Sequence, residues 1–208
     1  MKAKPLLKRL YAGTVTALAV AQVLLVLVSW FLSATTAGHA RSLLSSEGMR
    51  WFAGSFVSLL STPWLVWLLL LSMAAGSLLQ SGLPAAVGAR RAARNYRQRV
   101  ALCAALAFLV AYVAVLLLLT AVPHAVLLSS TGRLLPSPFS RALVPLVAFG
   151  LSSVSVVFGW VSGRFTSMSD VVGSWSYGIG RAAPLFVLYV VFVQFCASLR
   201  FVLPLPAG

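Results

Sequence analysis

Five stretches of this chain, residues 12–32, 62–80, 100–122, 142–161 and 183–203, run for about twenty residues each with no charged side chain near their centres. A run of that length, rising 1.5 Å per residue, crosses the roughly 30 Å hydrocarbon core of a bilayer as an α-helix. No water reaches backbone N–H and C=O groups in lipid, and a helix satisfies them within one segment. The stretches therefore predict an all-α integral membrane protein of about five transmembrane helices. Composition agrees. The chain is 61% hydrophobic and 9% charged, whereas a soluble domain needs about 25% charged residues to meet water. No soluble module separates the spans, so residues 1–208 read as a single transmembrane domain.

The first span follows Lys2, Lys4, Lys8 and Arg9, a start that a signal peptide shares with a retained anchor. Its 21 residues exceed the 7–15 of a signal peptide's apolar region, so an anchor is expected. Pro63 opens the second span, while Pro123 and Pro204 close the third and fifth. Proline suits a helix's first turn, where its missing N–H has no partner to lose.

Sixteen Lys and Arg stand against two acids, Glu47 and Asp170, for a net charge of +14. Spread over short segments between apolar spans, this charge reads as membrane topology rather than as a nucleic-acid surface. Basic residues favour cytoplasmic loops. Lys2, Lys4, Lys8, Arg9, Arg90, Arg91, Arg94, Arg97, Arg99, Arg164 and Arg181 fall on one side. Arg41, Arg50, Arg133, Arg141 and Arg200 fall on the other. The expected topology is a bacterial-type cytoplasmic (inner) membrane protein with its N-terminus inside and its C-terminus outside. The expected partners are the lipid bilayer and anionic headgroups at Arg90, Arg91, Arg94, Arg97 and Arg99.

Two connecting segments carry helical periodicity. In 46–60, Met49, Phe52, Phe56 and Leu59 or Leu60 recur on one face, Ser45 or Ser46 offers an N-cap and Trp51 an interfacial anchor. In 169–182, Val171, Val172, Trp175 and Ile179 form a stripe, with Asp170 at the helix's positive end. Both predict short amphipathic helices lying on the membrane, ordered loops being the alternative.

Ionisable groups at membrane depth usually mark function, and none lies near a span centre. Cys103 and Cys196 lie within spans without metal-ligand spacing, and His39 and His124 stand apart. No nucleophile motif, phosphate loop or metal set is present, so neither catalysis nor a cofactor is expected. Uncharged polarity remains: Gln22, Ser72, Tyr112, then Ser152, Ser153 and Ser155, and Gln194 lie near the centres of successive spans. Two readings fit. Such groups bond neighbouring helices, or they form a layer that touches a solute, with Gln22, Ser72, Tyr112, Ser152 and Gln194 as the substrate-binding candidates. Ser155, Gly159 and Gly163 recur every four residues, a small-residue face suited to close packing within one chain or between protomers.

Leu43-Leu44-Ser45-Ser46-Glu47-Gly48-Met49-Arg50-Trp51, followed after the second span by Ser81-Gly82-Leu83, resembles a segment of the p-aminobenzoyl-glutamate transporter (AbgT) family. That family carries LLSxEGxRW, a helix and a closing SGL. A second block, Gly159 to Gly163, then Asp170-Val171-Val172 and Gln194-Phe195, is similar to a later family segment with a glycine-rich helix end, a DVV stretch and an AQF helix. The resemblance implies a short relative, truncated internally and at its C-terminal end, of secondary transporters that move p-aminobenzoyl-glutamate or export sulfonamide-like antimetabolites. The expectation is a transporter or transporter subunit for a small aromatic or anionic solute, acting as a homo-oligomer because five helices are few to enclose a path. The competing expectation is a non-transporting scaffold or accessory subunit that binds another membrane protein or anionic lipid.

Overall fold

The computed structural model describes residues 3–35, 41–88, 95–121 and 138–203. Lys2, His39, Arg90, Arg91, Arg94, Pro123, His124, Arg133 and Pro204 lie outside the described residues. All regular structure among those described is helical: α1 (Ala3–Thr35), α2 (Ser46–Leu60), α3 (Pro63–Ser81), α4 (Leu83–Gly88), α5 (Tyr96–Ala121), α6 (Pro138–Ser162) and α7 (Met168–Val202). Five of them, α1, α3, α5, α6 and α7, are long and apolar enough to cross a membrane. They coincide with the five expected spans.

Helix ends follow local chemistry. Ser45 caps α2, its hydroxyl accepting from the Gly48 N–H at 3.0 Å. Gly48 is buried, and a Cβ there would lie 2.5 Å from the Ser42 carbonyl oxygen, so the motif's glycine is a close-approach point. Gly163 ends α6 at φ +79°, in the left-handed region that glycine enters without penalty. Its N–H reaches the Trp160 carbonyl at 3.0 Å and the Arg164 N–H reaches the Gly159 carbonyl at 2.8 Å, the paired bonds of a Schellman ending. Gly82, at φ +76°, ends α3 and turns the chain into α4, a short helix that periodicity did not signal.

Two compact units can be distinguished. The first contains α1, α2, the first residues of α3 and α7 from Ala183 onward. Here the Gln22 amide donates to Ser198 Oγ at 2.9 Å, the Leu43 N–H donates to Ser29 Oγ at 3.2 Å, and the Arg41 N–H donates to the Val202 carbonyl at 3.3 Å. The expected short helix at 46–60 is present. Trp51 stacks on Phe201 with ring centroids 4.5 Å apart, and the Tyr189 hydroxyl donates to the Leu60 carbonyl at 3.4 Å while also meeting the Thr62 hydroxyl. The helix runs antiparallel along α7. Gly48, Trp51, Ser55 and Leu59 form its covered face, whereas Met49, Phe52 and Phe56 are exposed. Lipid accepts exposed apolar side chains as readily as protein does, so the face that meets α7 is the one where Gly48 and Ser55 permit close approach and Trp51 and Leu59 fill the contact.

The second unit contains the rest of α3, α4, α5, α6 and α7 up to Ala182. α5 and α6 pack antiparallel: Ala101 and Ala105 share a core cluster with Val154, Phe158 and Ala86, and Tyr112 bonds to the Leu146 carbonyl. α3 and α7 pack antiparallel as well, at a seam of small residues. A Cβ on Gly76 would collide with the Ser174 carbonyl, and one on Gly178 with the Ser72 carbonyl, so the two backbones touch. Residues 169–182, expected as a separate surface helix, are instead the first part of α7, which continues as helix through Pro184. Ser174 and Gly178 pack on α3, while of the stripe Val171 is buried and Val172 is exposed. At 35 residues α7 is about 52 Å long, well beyond the ~30 Å that a span requires.

Candidate functional site

The second unit carries a half-open cavity of about 400 Å³ between α3, α6 and α7, within the size range of small-molecule sites, with Phe149 and Trp160 partly exposed at its edge. Its walls are apolar and aromatic, with Met73, Phe149, Trp160 and Trp175 prominent, and Ser152 and Ser153 supply hydroxyls. Ser152 is the hub of a small polar network. Trp175 Nε1 donates to Ser152 Oγ at 3.0 Å, and Ser77 Oγ lies 3.3 Å from Ser152 Oγ and 3.4 Å from Ser174 Oγ. A helix-borne indole held by a hydroxyl is a fixed flat surface, suited to stacking against an aromatic ring.

The other residues named from sequence fall elsewhere. Ser72 sits in the α3–α7 seam, buried, its hydroxyl turned back to the Leu69 carbonyl at 2.7 Å. Tyr112 lines a separate apolar cavity of about 360 Å³ between α5 and α6. Its hydroxyl donates to the Leu146 carbonyl at 2.8 Å, and its ring occupies the notch left by Gly150. Of the small-residue face, Ser155 is fully buried, Gly159 receives the Phe165 ring and Gly163 is the α6 ending described above. Those contacts lie within one chain.

Gln22 and Gln194 belong to the first unit. Gln194 lies one helical turn before Ser198, the partner of Gln22, and is only 7% exposed. Both polar atoms of its amide, and Oε1 of Gln22, are buried without a hydrogen-bond partner among the described residues. An unmet buried amide costs about 1–3 kcal/mol per group, and a water or a solute's polar group would relieve it.

Sequence reasoning missed Ser77, Ser174, Trp175 and Ser198 as members of these networks. The signal for the seam was present as Ser72-x-x-x-Gly76 and Ser174-x-x-x-Gly178, the same four-residue spacing noted only in α6. Both acids have local roles. Asp170 accepts from the Ser167 N–H at 3.0 Å while its own N–H donates to Ser167 Oγ at 3.3 Å, a reciprocal cap for α7. Glu47, in the first turn of α2, lies 3.8 Å from Arg41.

The AbgT putative transporter family matches the chain over residues 88–202, just over half of its length. The match contains Gly159 to Gly163, Asp170-Val171-Val172 and Gln194-Phe195, while the Leu43–Trp51 block lies before it. No match was found among curated proteins or among solved structures. With its multiple membrane-spanning helices, the chain belongs to the AbgT transporter family.

Proposed function

We propose that the chain is a transporter, or a transporter subunit, for a small aromatic anion of the p-aminobenzoyl-glutamate type, working as an oligomer in the cytoplasmic membrane. The observation that carries this reading is the cavity walled by Phe149, Trp160 and Trp175, with Ser152 fixing the Trp175 indole. Aromatic walls with a few placed hydroxyls orient a flat ring. Oligomerisation is supported by α1 and α5, most of whose residues stay exposed beside the contacts described above, and by the general need of transporters for paired repeats around a site.

Purified protein in liposomes is expected to take up labelled p-aminobenzoyl-glutamate under a sodium or a proton gradient, and Trp175→Ala is expected to lower uptake at least tenfold. No uptake under either gradient, with a folded oligomer confirmed, would refute the reading. A second reading, a non-transporting accessory subunit, is favoured by one observation. Glu47 and Asp170, the chain's two acids, both serve helix starts, so neither is placed to couple an ion.

A further inference from the structure

The first unit carries a groove of about 710 Å³ that the proposed transport does not use. At its mouth stand Arg41 and Arg200, beside the Trp51–Phe201 stack. Arg41 is fixed there by its backbone bond to Val202, with its guanidinium carbon 5.9 Å from the Phe201 ring centroid. Its acidic neighbour Glu47 is 3.8 Å away, and both side chains are mostly exposed, so that pair neutralises little of the charge. Below the mouth the lining becomes apolar: Cys196 and Ala197 one turn down α7, Phe192 and Val193 a turn further. From Arg200 to Phe192 the groove follows α7 for about 12 Å.

We infer that this groove holds one anionic phospholipid, its phosphate between the two guanidiniums and an acyl chain along Phe192 and Val193. Arginine's planar donor fork matches phosphate oxygens, and aromatic residues beside it suit the headgroup level of a bilayer. A soluble anion fits the mouth but not the depth. The deep lining offers the Thr62 hydroxyl, already engaged with Tyr189, while Trp64 and Phe192 are 66% and 53% exposed. The groove is therefore open sideways along its apolar part, where an acyl chain would complete the surface and a hydrophilic solute would find no further polar partner in that part of the lining.

The full chain is reconstituted in phosphatidylcholine vesicles containing increasing phosphatidylglycerol, either lipid being brominated on its acyl chains. The part of the tryptophan quenching that Trp64→Phe abolishes reports on the groove. Brominated phosphatidylglycerol is expected to quench it at about 25-fold lower mole fraction than brominated phosphatidylcholine, with Arg41→Gln and Arg200→Gln each shifting the midpoint about fivefold. Equal quenching by the two lipids in the unsubstituted chain overturns the proposal without reliance on any arginine variant. So does unchanged selectivity in the double variant. Displacement of the brominated lipid by millimolar glycerol phosphate or p-aminobenzoyl-glutamate would reassign the groove to a soluble anion and overturn it as well.

Discussion

Glycines at Gly76 and Gly178 do what no other residue does at those positions: they let the α3 and α7 backbones touch. Any Cβ would meet the opposing carbonyl of Ser174 or Ser72. Backbone is far less yielding than a side chain, so even a methyl must force the helices apart. Gly178→Ala is expected to destabilise the protein by about 1–3 kcal/mol, read as a lower melting temperature in detergent. Gly173 is also on α7 but has open space around it, and Gly173→Ala is expected to leave the melting temperature nearly unchanged. Equal effects of the two substitutions would contradict the seam. The same scale sets apart Gln194, whose buried amide has no partner among the described residues, from Tyr112, which donates to the Leu146 carbonyl on α6, and Ser72, which donates to the Leu69 carbonyl of the preceding turn.

Helix starts and stops are set by short-range hydrogen bonds that act before any packing. Ser167 and Asp170 answer each other's N–H groups at the start of α7, and Thr166 adds its N–H and hydroxyl to the same carboxylate at 2.8 and 2.9 Å. Ser167→Ala removes one side of this box and is expected to cost about 1 kcal/mol. Hydrogen exchange should show it as faster exchange confined to the first turn of α7, with the amides beyond Trp175 unaffected. For α2, the placement along α7 turns on which face is small. Gly48 and Ser55 allow close approach, Trp51 anchors the contact, and the phenylalanines are left to lipid.

Topology belongs to the whole molecule, because basic residues are distributed across all its connecting segments. Eleven basic residues on one side against five on the other predict an inside N-terminus. In a Cys103→Ser, Cys196→Ser background, a cysteine at Ser46 is expected to react with an impermeant maleimide added to intact cells. A cysteine at Ser167 is expected to react only after permeabilisation. The reverse pattern would invert the orientation, and with it the leaflet that faces the Arg41–Arg200 groove.

Residue order by itself determined the five spans, because an apolar run of twenty residues has one way to satisfy its backbone in lipid. It also located the N-cap at Ser45 or Ser46 and placed Ser152 and the glutamines at 22 and 194 among the polar residues near span centres. Periodicity predicts a short helix in 46–60, which is present, and a separate one in 169–182, which tertiary structure merges into α7. A hydrophobic stripe points to protein in water, but in a bilayer it has two apolar environments to choose from. In 169–182 the choice falls to Ser174 and Gly178, beside the buried Val171, whose value depends on a partner helix that no local pattern names. For the same reason Ser77, Ser174 and Trp175 acquire meaning only when α3, α6 and α7 bring them to Ser152.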